Sequence, residues 1–273
     1  MAQPQDRSSG KPVTRLRVLR TERLTPHMIR VVAGGPGLAA FTPNGFTDSY
    51  VKVLFPVPGV TYPEPFDLRT IKAELPREHW PRQRSYTVRY HDSDELTIDF
   101  VHHGDVGLAG PWAANLRPGD EILLIGPGGA YAPSADADWH LLVGDESAMP
   151  AIGVALEAMP AGATVETFLL VEDAAEEQPL ATKAAAQIRW LHRSAGDDLV
   201  EAVRALRFPD GTVHAFVHGE AGFVRALRTH LLAERGVAKE QLSISGYWRR
   251  GKADEAWREE KAALRAAEEA AGQ

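Results

Sequence analysis

The chain has 273 residues, 44% apolar and 25% charged, with a formal net charge of −7 at pH 7. This suits one large or two ordinary globular domains and excludes a general basic field for nucleic acid. It contains no cysteine, which excludes disulfides, thiolate nucleophiles and cysteine-ligated iron–sulfur clusters. Redox chemistry would have to come from a bound organic cofactor or a cysteine-free metal site.

The opening "MAQPQDRSSGKPVTR" lacks the apolar core of a signal peptide, and residues 1–12 read as a flexible tail. No apolar run approaches the roughly 18 residues of a membrane-spanning helix, so no membrane insertion is expected and the cytoplasm is the default location. From Val13 the pattern is one of short β-type runs. "VTRLRVLRTERL" alternates, and "HMIRVVAGG" and "SYVKVLFP" follow. A Pro-rich loop, "PVPGVTYPEPFDLRTIKAELPREHWP", has room for one short helical turn. "RSYTVRY" and "ELTIDFVHH" flank the turn "HDSD" as a hairpin, and "DEILLIGPGG" closes the set after "RPGD". Residues 13–134 are therefore expected to form a six-stranded antiparallel barrel.

Beyond this the rhythm changes. "WHLLVGDESAMPAIGVALEAMP" reads as strand, turn and helix, and "TVETFLLVED" and "QIRWLHRS" as strands. "DDLVEAVRALRFP" is helical, "TVHAFVHGE" a strand, "AGFVRALRTHLLAERG" a helix with Phe223, Val224, Leu227 and Leu231 at helical spacing, and "EQLSISGYW" a last strand. The alternation predicts a parallel-sheet, nucleotide-binding-like α/β unit over 135–273. Its tail, "ADEAWREEKAALRAAEEAA", is expected to be a solvated helix held on the surface by Trp257 and Leu264.

The chemistry is concentrated in residues 82–113. On a strand, Arg84 and Tyr86 share one face and Ser85 and Thr87 the other. The arginine could hold a diphosphate and the tyrosine could lie on a flat heterocycle. Taken alone, the tetrapeptide is more simply a strand with an exposed arginine and a half-buried tyrosine. "HGDVGLAGPWAANL" then supplies Gly104, Gly107 and Gly110 ahead of a short helix with Pro111 in its first turn. Small residues there let backbone amides approach a phosphate, although an ordinary strand-to-helix turn has the same composition.

Elsewhere, Asp145 of "GDESAMP" could cap a helix or make a polar contact to a cofactor. Glu172 and Asp173 end a strand where an acid can bond an NAD ribose and repel a 2′-phosphate, which favours NADH. A solvated acidic loop accounts for "EDAAEE" more simply. His102 and His103 face opposite ways on a strand and lack a partner at ligand spacing, so no metal site is expected. His214 and His218 alternate onto one face of a strand facing the rest of the molecule.

Arg-x-Tyr-Thr, "DFVHHG", the Gly/Ala loop ending in "WA", "GPGGAY", "VGDESAMPAI" and "SGYWRRG" occur in an order that resembles the siderophore-interacting proteins. These are FAD-dependent ferric-siderophore reductases with a ferredoxin–NADP reductase-like fold, and the resemblance spans residues 13–265. It implies that Arg84 clamps the FAD phosphates and that Ser85, Tyr86 and Thr87 contact the isoalloxazine and ribityl groups. Asp99, Phe100, Val101 and His103 would line the flavin, and Gly107, Leu108, Ala109 and Gly110 would hold the pyrophosphate by backbone amides. Asp145, Glu146 and Ser147 would lie at the domain junction, and Tyr247 and Trp248 would close the nicotinamide side. Lys52, Arg249 and Arg250 would draw in an anionic ferric siderophore. Two departures stand out: Pro111 replaces a hydroxyl residue, and Gly128 stands where many members carry Arg. The implied activity passes electrons from NADH or NADPH, with ferredoxin an alternative donor, through FAD to chelated Fe(III). A general NAD(P)H flavin reductase, or a non-catalytic FAD- or siderophore-binding protein, would share much of this pattern.

Overall fold

The computed structural model describes residues 12–271. Apart from Pro12, the tail expected over residues 1–12 lies outside the described residues. The first half holds β1 (Thr14–Thr25), β2 (Met28–Gly34), β3 (Tyr50–Phe55), β4 (Arg82–His91), β5 (Glu95–Val101) and β6 (Glu121–Gly128). Each pairs antiparallel with its neighbours in a closed barrel of order β1-β2-β5-β4-β3-β6. Alternation explains the closure. Leu16, Val18, Ile29, Val31, Val51, Val53, Leu96, Ile98, Phe100, Ile122 and Leu124 form one buried interior, while the intervening residues face outward. The Pro-rich loop contains α1 (Leu68–Glu74), begun by Asp67, whose carboxylate accepts from Thr70 N at 2.8 Å. Helix α2 (Ala109–Asn115) inserts Ala109 and Ala113 into the barrel core, with Trp112 packed beside them.

The second half carries β7 (Trp139–Asp145), α3 (Met149–Ala158), β8 (Thr164–Val171), β9 (Ala185–His192), α4 (Leu199–Arg204), β10 (Val213–Glu220), α5 (Ala221–Thr229), β11 (Leu242–Trp248) and α6 (Asp254–Ala271). All five strands are parallel, in the order β11-β10-β7-β8-β9. Helix α3 covers one face through Met149, Ile152 and Leu156, and α4 and α5 cover the other through Leu199, Val203 and Leu227. The chain runs outward from β7 to β9, then returns to build β10 and β11 on the far side of β7. The carboxyl ends of β7 and β10 therefore flank a topological switch point, where a doubly wound sheet opens a crevice.

The two halves share a core. Met28, at the start of β2, is 1% exposed and packs with Tyr131, Leu142 and Phe216, flanked by Leu24 and Val101. The acidic run after β8 is not simply a solvated loop. Asp173 caps a short turn by accepting from Ala175 N, but Glu176 is 1% exposed. Glu176 accepts from Thr25 Oγ1 at 2.6 Å, and one of its oxygens lies 2.6 Å from His27 Nδ1. A buried carboxylate needs such donors, and the β1–β2 turn supplies them.

Candidate functional site

The barrel end plugged by α2 is built from β4, β5 and the loop between β5 and α2. Arg84 and Tyr86 share one face of β4, as period-two alternation requires. The Tyr86 ring lies 4.3 Å from Phe100, and Phe100 lies 5.7 Å from Trp112, so the tyrosine rests on a fixed aromatic base. Phe100 is fully buried inside the barrel, beneath Tyr86 and beside Trp112. Leu108, Ala109 and Gly110 open α2, whose first turn has no side-chain cap. Gly104 and Gly107 take left-handed φ values of 61° and 88°, turning the loop into that helix.

Other residues singled out from the sequence lie apart from this group. Asp99 projects from the opposite face of β5 and is held bidentate by Arg30 at 2.7 and 2.8 Å. Ser85 is exposed and pairs in register with Lys52. Thr87 is buried, and Val101 packs into the core shared by the two halves.

Asp145 organises the switch point. It is 0% exposed and accepts from Ser147 N at 2.9 Å, Ser147 Oγ at 2.5 Å, Glu220 N at 2.9 Å and Trp248 Nε1 at 2.8 Å. Burial pushes its carboxyl above the usual range, against the hydrogen bonds from Ser147 and Trp248. Both of its oxygens are thus engaged by the protein, which ties the ends of β7, β10 and β11 together. Burial raises the pKa of the Tyr247 hydroxyl, and the charges of Asp48, Asp145 and Tyr50 add to it. Glu146 is held bidentate by Arg193 at 2.5 and 2.7 Å, and Glu172 lies 3.9 Å from the same guanidinium. His103 adjoins this cluster across the junction. Burial lowers its pKa, partly offset by Glu146.

The three candidate substrate cations belong to two separate parts of the chain. Lys52 is exposed on β3, and Arg250 is exposed in the turn after β11. Arg249 is turned onto α6, where it meets Glu260 and lies 6.0 Å from the Trp257 ring. Gly128 has a local counterpart that the sequence did not reveal. A Cβ there would stand 2.5 Å from Tyr50 Cζ, so the Tyr50 ring occupies the space a side chain at 128 would need. Sequence reasoning also missed Arg193, whose signal was a basic residue directly after a sheet strand, and Glu255. Glu255 lies in a helix that reads as solvated, yet it pairs with Arg84 at 2.8 Å.

Residues 17–131 match the model of the siderophore-interacting FAD-binding domain, and residues 137–251 match that of the siderophore-interacting protein. The chain is 36% identical to the ferric vibriobactin reductase ViuB of Vibrio cholerae, over 89% of this chain and 92% of the relative. It is 33% identical to the NADPH-dependent ferric-chelate reductase of Escherichia coli, over 85% and 91%. The crystal structure of a siderophore utilization protein from T. fusca superposes with a TM-score of 0.76 at 36% identity, covering 90% of this chain and 96% of that one. With both halves matched in order on a barrel-plus-parallel-sheet fold, the chain belongs to the siderophore-interacting protein family.

Proposed function

We propose that the protein is an FAD-dependent ferric-siderophore reductase that takes electrons from a reduced nicotinamide. The observation that carries this reading is the juxtaposition at the plugged barrel end. Arg84 and Tyr86 share one face of β4, and Tyr86, Leu108 and Trp112 pack against one barrel core, which brings the tyrosine on its aromatic base and the uncapped first turn of α2 to the same barrel end. That donor set fits a flavin dinucleotide, which needs a cation and amides for its diphosphate and a flat partner for its ring. Arg84 would hold the diphosphate with amides of the 107–110 loop, and Tyr86 would support the ring. Ser85, Thr87 and Val101, whose side chains point elsewhere, would contribute through their backbone groups, and His103 from the junction. Asp99, turned to Arg30, would act by fixing β5 against β2. FAD, when bound, supplies the conversion from a two-electron hydride donor to the one-electron acceptor Fe(III).

The protein's own contribution is to bind, orient and exclude water. Asp145 fixes Trp248 by its indole N–H, and this sets the position of Tyr247 and the end of β11 over the cleft. Lys52 and Arg250, with Arg249 behind them, would attract an anionic ferric chelate, a step weakened by salt. We further propose residues 13–134 and 135–273 as the two functional units, and a cytoplasmic location. Among the described residues no helix is long and apolar enough to cross a membrane.

NADH is favoured as donor. Glu146 and Glu172 surround Arg193, so the guanidinium nearest the end of β8 is already compensated and presents little net charge to a 2′-phosphate. The NADPH dependence named for the E. coli relative makes this comparison worth measuring directly. Under anaerobic stopped flow, the yellow protein should be bleached faster by NADH than by NADPH or reduced ferredoxin, and a ferric siderophore should restore its colour. A protein that binds no FAD, or whose colour no ferric chelate restores, would overturn the reading. Arg84→Ala should lower FAD occupancy, and unchanged occupancy would remove Arg84 from its assigned role.

A further inference from the structure

The C-terminal helix α6 spans the two halves. Trp257 is 5% exposed and sits on Gly246 of β11, where a Cβ would lie 3.0 Å from its ring. Lys261 Nζ donates to Ser245 Oγ at 2.8 Å and to Gly246 O at 2.7 Å, fastening the helix to the edge strand. Arg249 and Lys252 both engage Glu260. From this anchorage the first turn of α6 reaches the barrel. Glu255 Oε1 accepts from Arg84 at 2.8 Å, and Glu259 lies 3.5 Å from Arg77. Arg84 also donates to Gln83 O at 2.9 Å. Both terminal nitrogens of the proposed diphosphate clamp are therefore engaged by the chain's own oxygens. The Glu255 carboxyl is held below its usual range. Burial opposes this, but the Arg84 hydrogen bond and the charges of Arg84 and Arg82 prevail.

We propose that Glu255 is an internal competitor for Arg84, standing where the cofactor's diphosphate must bind, so that α6 sets the affinity for FAD. This rests on the assignment of Arg84 as the diphosphate clamp. A carboxylate and a diphosphate cannot both approach one guanidinium closely without strong like-charge repulsion, so FAD entry requires Glu255 to swing away. The swing costs the Arg84 contact and the hydrogen bond from the Glu255 backbone N–H, and leaves the helix backbone in place. Glu255 is 57% exposed, and Trp257 and Lys261 keep the rest of the helix docked. α6 thus holds the clamp arginine in a paired state before loading and gives it up by exchange of one anion for another.

The test is equilibrium titration of the full-length apoprotein with FAD and, separately, with riboflavin, which lacks the diphosphate. Flavin fluorescence quenching is the readout, and Glu255→Gln, Glu255→Asp and Glu259→Gln are compared with the parent chain. Glu255→Gln should bind FAD about 5-fold more tightly, the scale of one partly exposed charge-assisted bond. It should leave riboflavin binding unchanged, and the gain should shrink at high salt. Glu255→Asp should stay near the parent, and Glu259→Gln should match it. Equal or weaker FAD binding by Glu255→Gln, or the same gain for riboflavin, would overturn the proposal. If the parent chain binds no FAD at all, the cofactor assignment fails with it, an outcome distinct from binding that is indifferent to Glu255.

Discussion

His218 packs against Phe216 at 3.9 Å and Tyr247 at 5.0 Å, and burial, with the Lys261 charge, lowers its pKa to about 3. It is therefore neutral in the folded chain at pH values where the unfolded chain protonates it. Below the ordinary pKa of 6.5 the unfolded state binds more protons, so stability is full above that value and is lost as pH falls toward 3. At pH 5 the loss should be about 2 kcal/mol relative to pH 7. Burial lowers His103, His140 and His214 in the same direction. Urea unfolding at stepped pH should show this slope, and His218→Phe should reduce it; identical slopes would refute the assignment. A second residue-scale prediction concerns Gly128. Gly128→Arg should cost about 1–3 kcal/mol through collision with the Tyr50 ring. Tyr50→Ser should relieve it, giving a non-additive double-mutant cycle. At this scale the sequence was readable where one local period carried the information: Arg84 and Tyr86 share a face because strands alternate. It was unreadable where a partner lay far along the chain, as with Glu255 for Arg84, Arg193 for Glu146 and Tyr50 for Gly128.

Among the elements, the six barrel strands and five sheet strands follow from alternating runs and turn residues, and the structure contains all of them. Their spatial order does not follow from those runs. Placing β6 between β3 and β1 depends on barrel closure, and placing β10 beside β7 depends on a crossover, neither of which leaves a local trace. The π-helical turn His230–Glu234 that extends α5 was likewise invisible within an otherwise helical pattern. Helix α6 was expected to be held on the surface by Trp257 and Leu264. Trp257 is buried as expected, whereas the Leu264 side chain lies outside the described residues. The seat of Trp257 gives an element-scale prediction. Gly246→Val puts branched carbon against Trp257 and against Ala221, whose Cβ lies 3.1 Å from the new atom. Hydrogen exchange should report loss of protection over residues 254–262, and trypsin should cut at Lys261 faster than in the parent. Unchanged protection would mean that the Lys261 hydrogen bonds and the salt links hold the helix without the Trp257 seat.

Across the whole molecule, the barrel and the sheet are joined by contacts that are individually modest. The Arg89–Glu157 pair links β4 to α3, Arg84–Glu255 links β4 to α6, and Glu176 grips the β1–β2 turn. Of these the Glu176 clasp is the most buried. Glu176→Ala should lower stability by about 2 kcal/mol, because Thr25 and His27 lose a charged acceptor. Denaturant unfolding followed separately by flavin release and far-UV circular dichroism should then show the two signals drawing apart. Coincident transitions would place the coupling elsewhere.

Met28 carries this coupling in another form. It is a barrel residue by sequence position, yet its side chain completes the apolar interior of the sheet beside Leu142 and Phe216. Its burial is worth about 1.5–3 kcal/mol to the joined molecule. A chain whose barrel forms before its sheet would leave Leu24, Met28 and Val101 facing water at the β1–β2 corner. Until the sheet covers it, that corner would be a greasy landing place for a chaperone or for another unfinished chain.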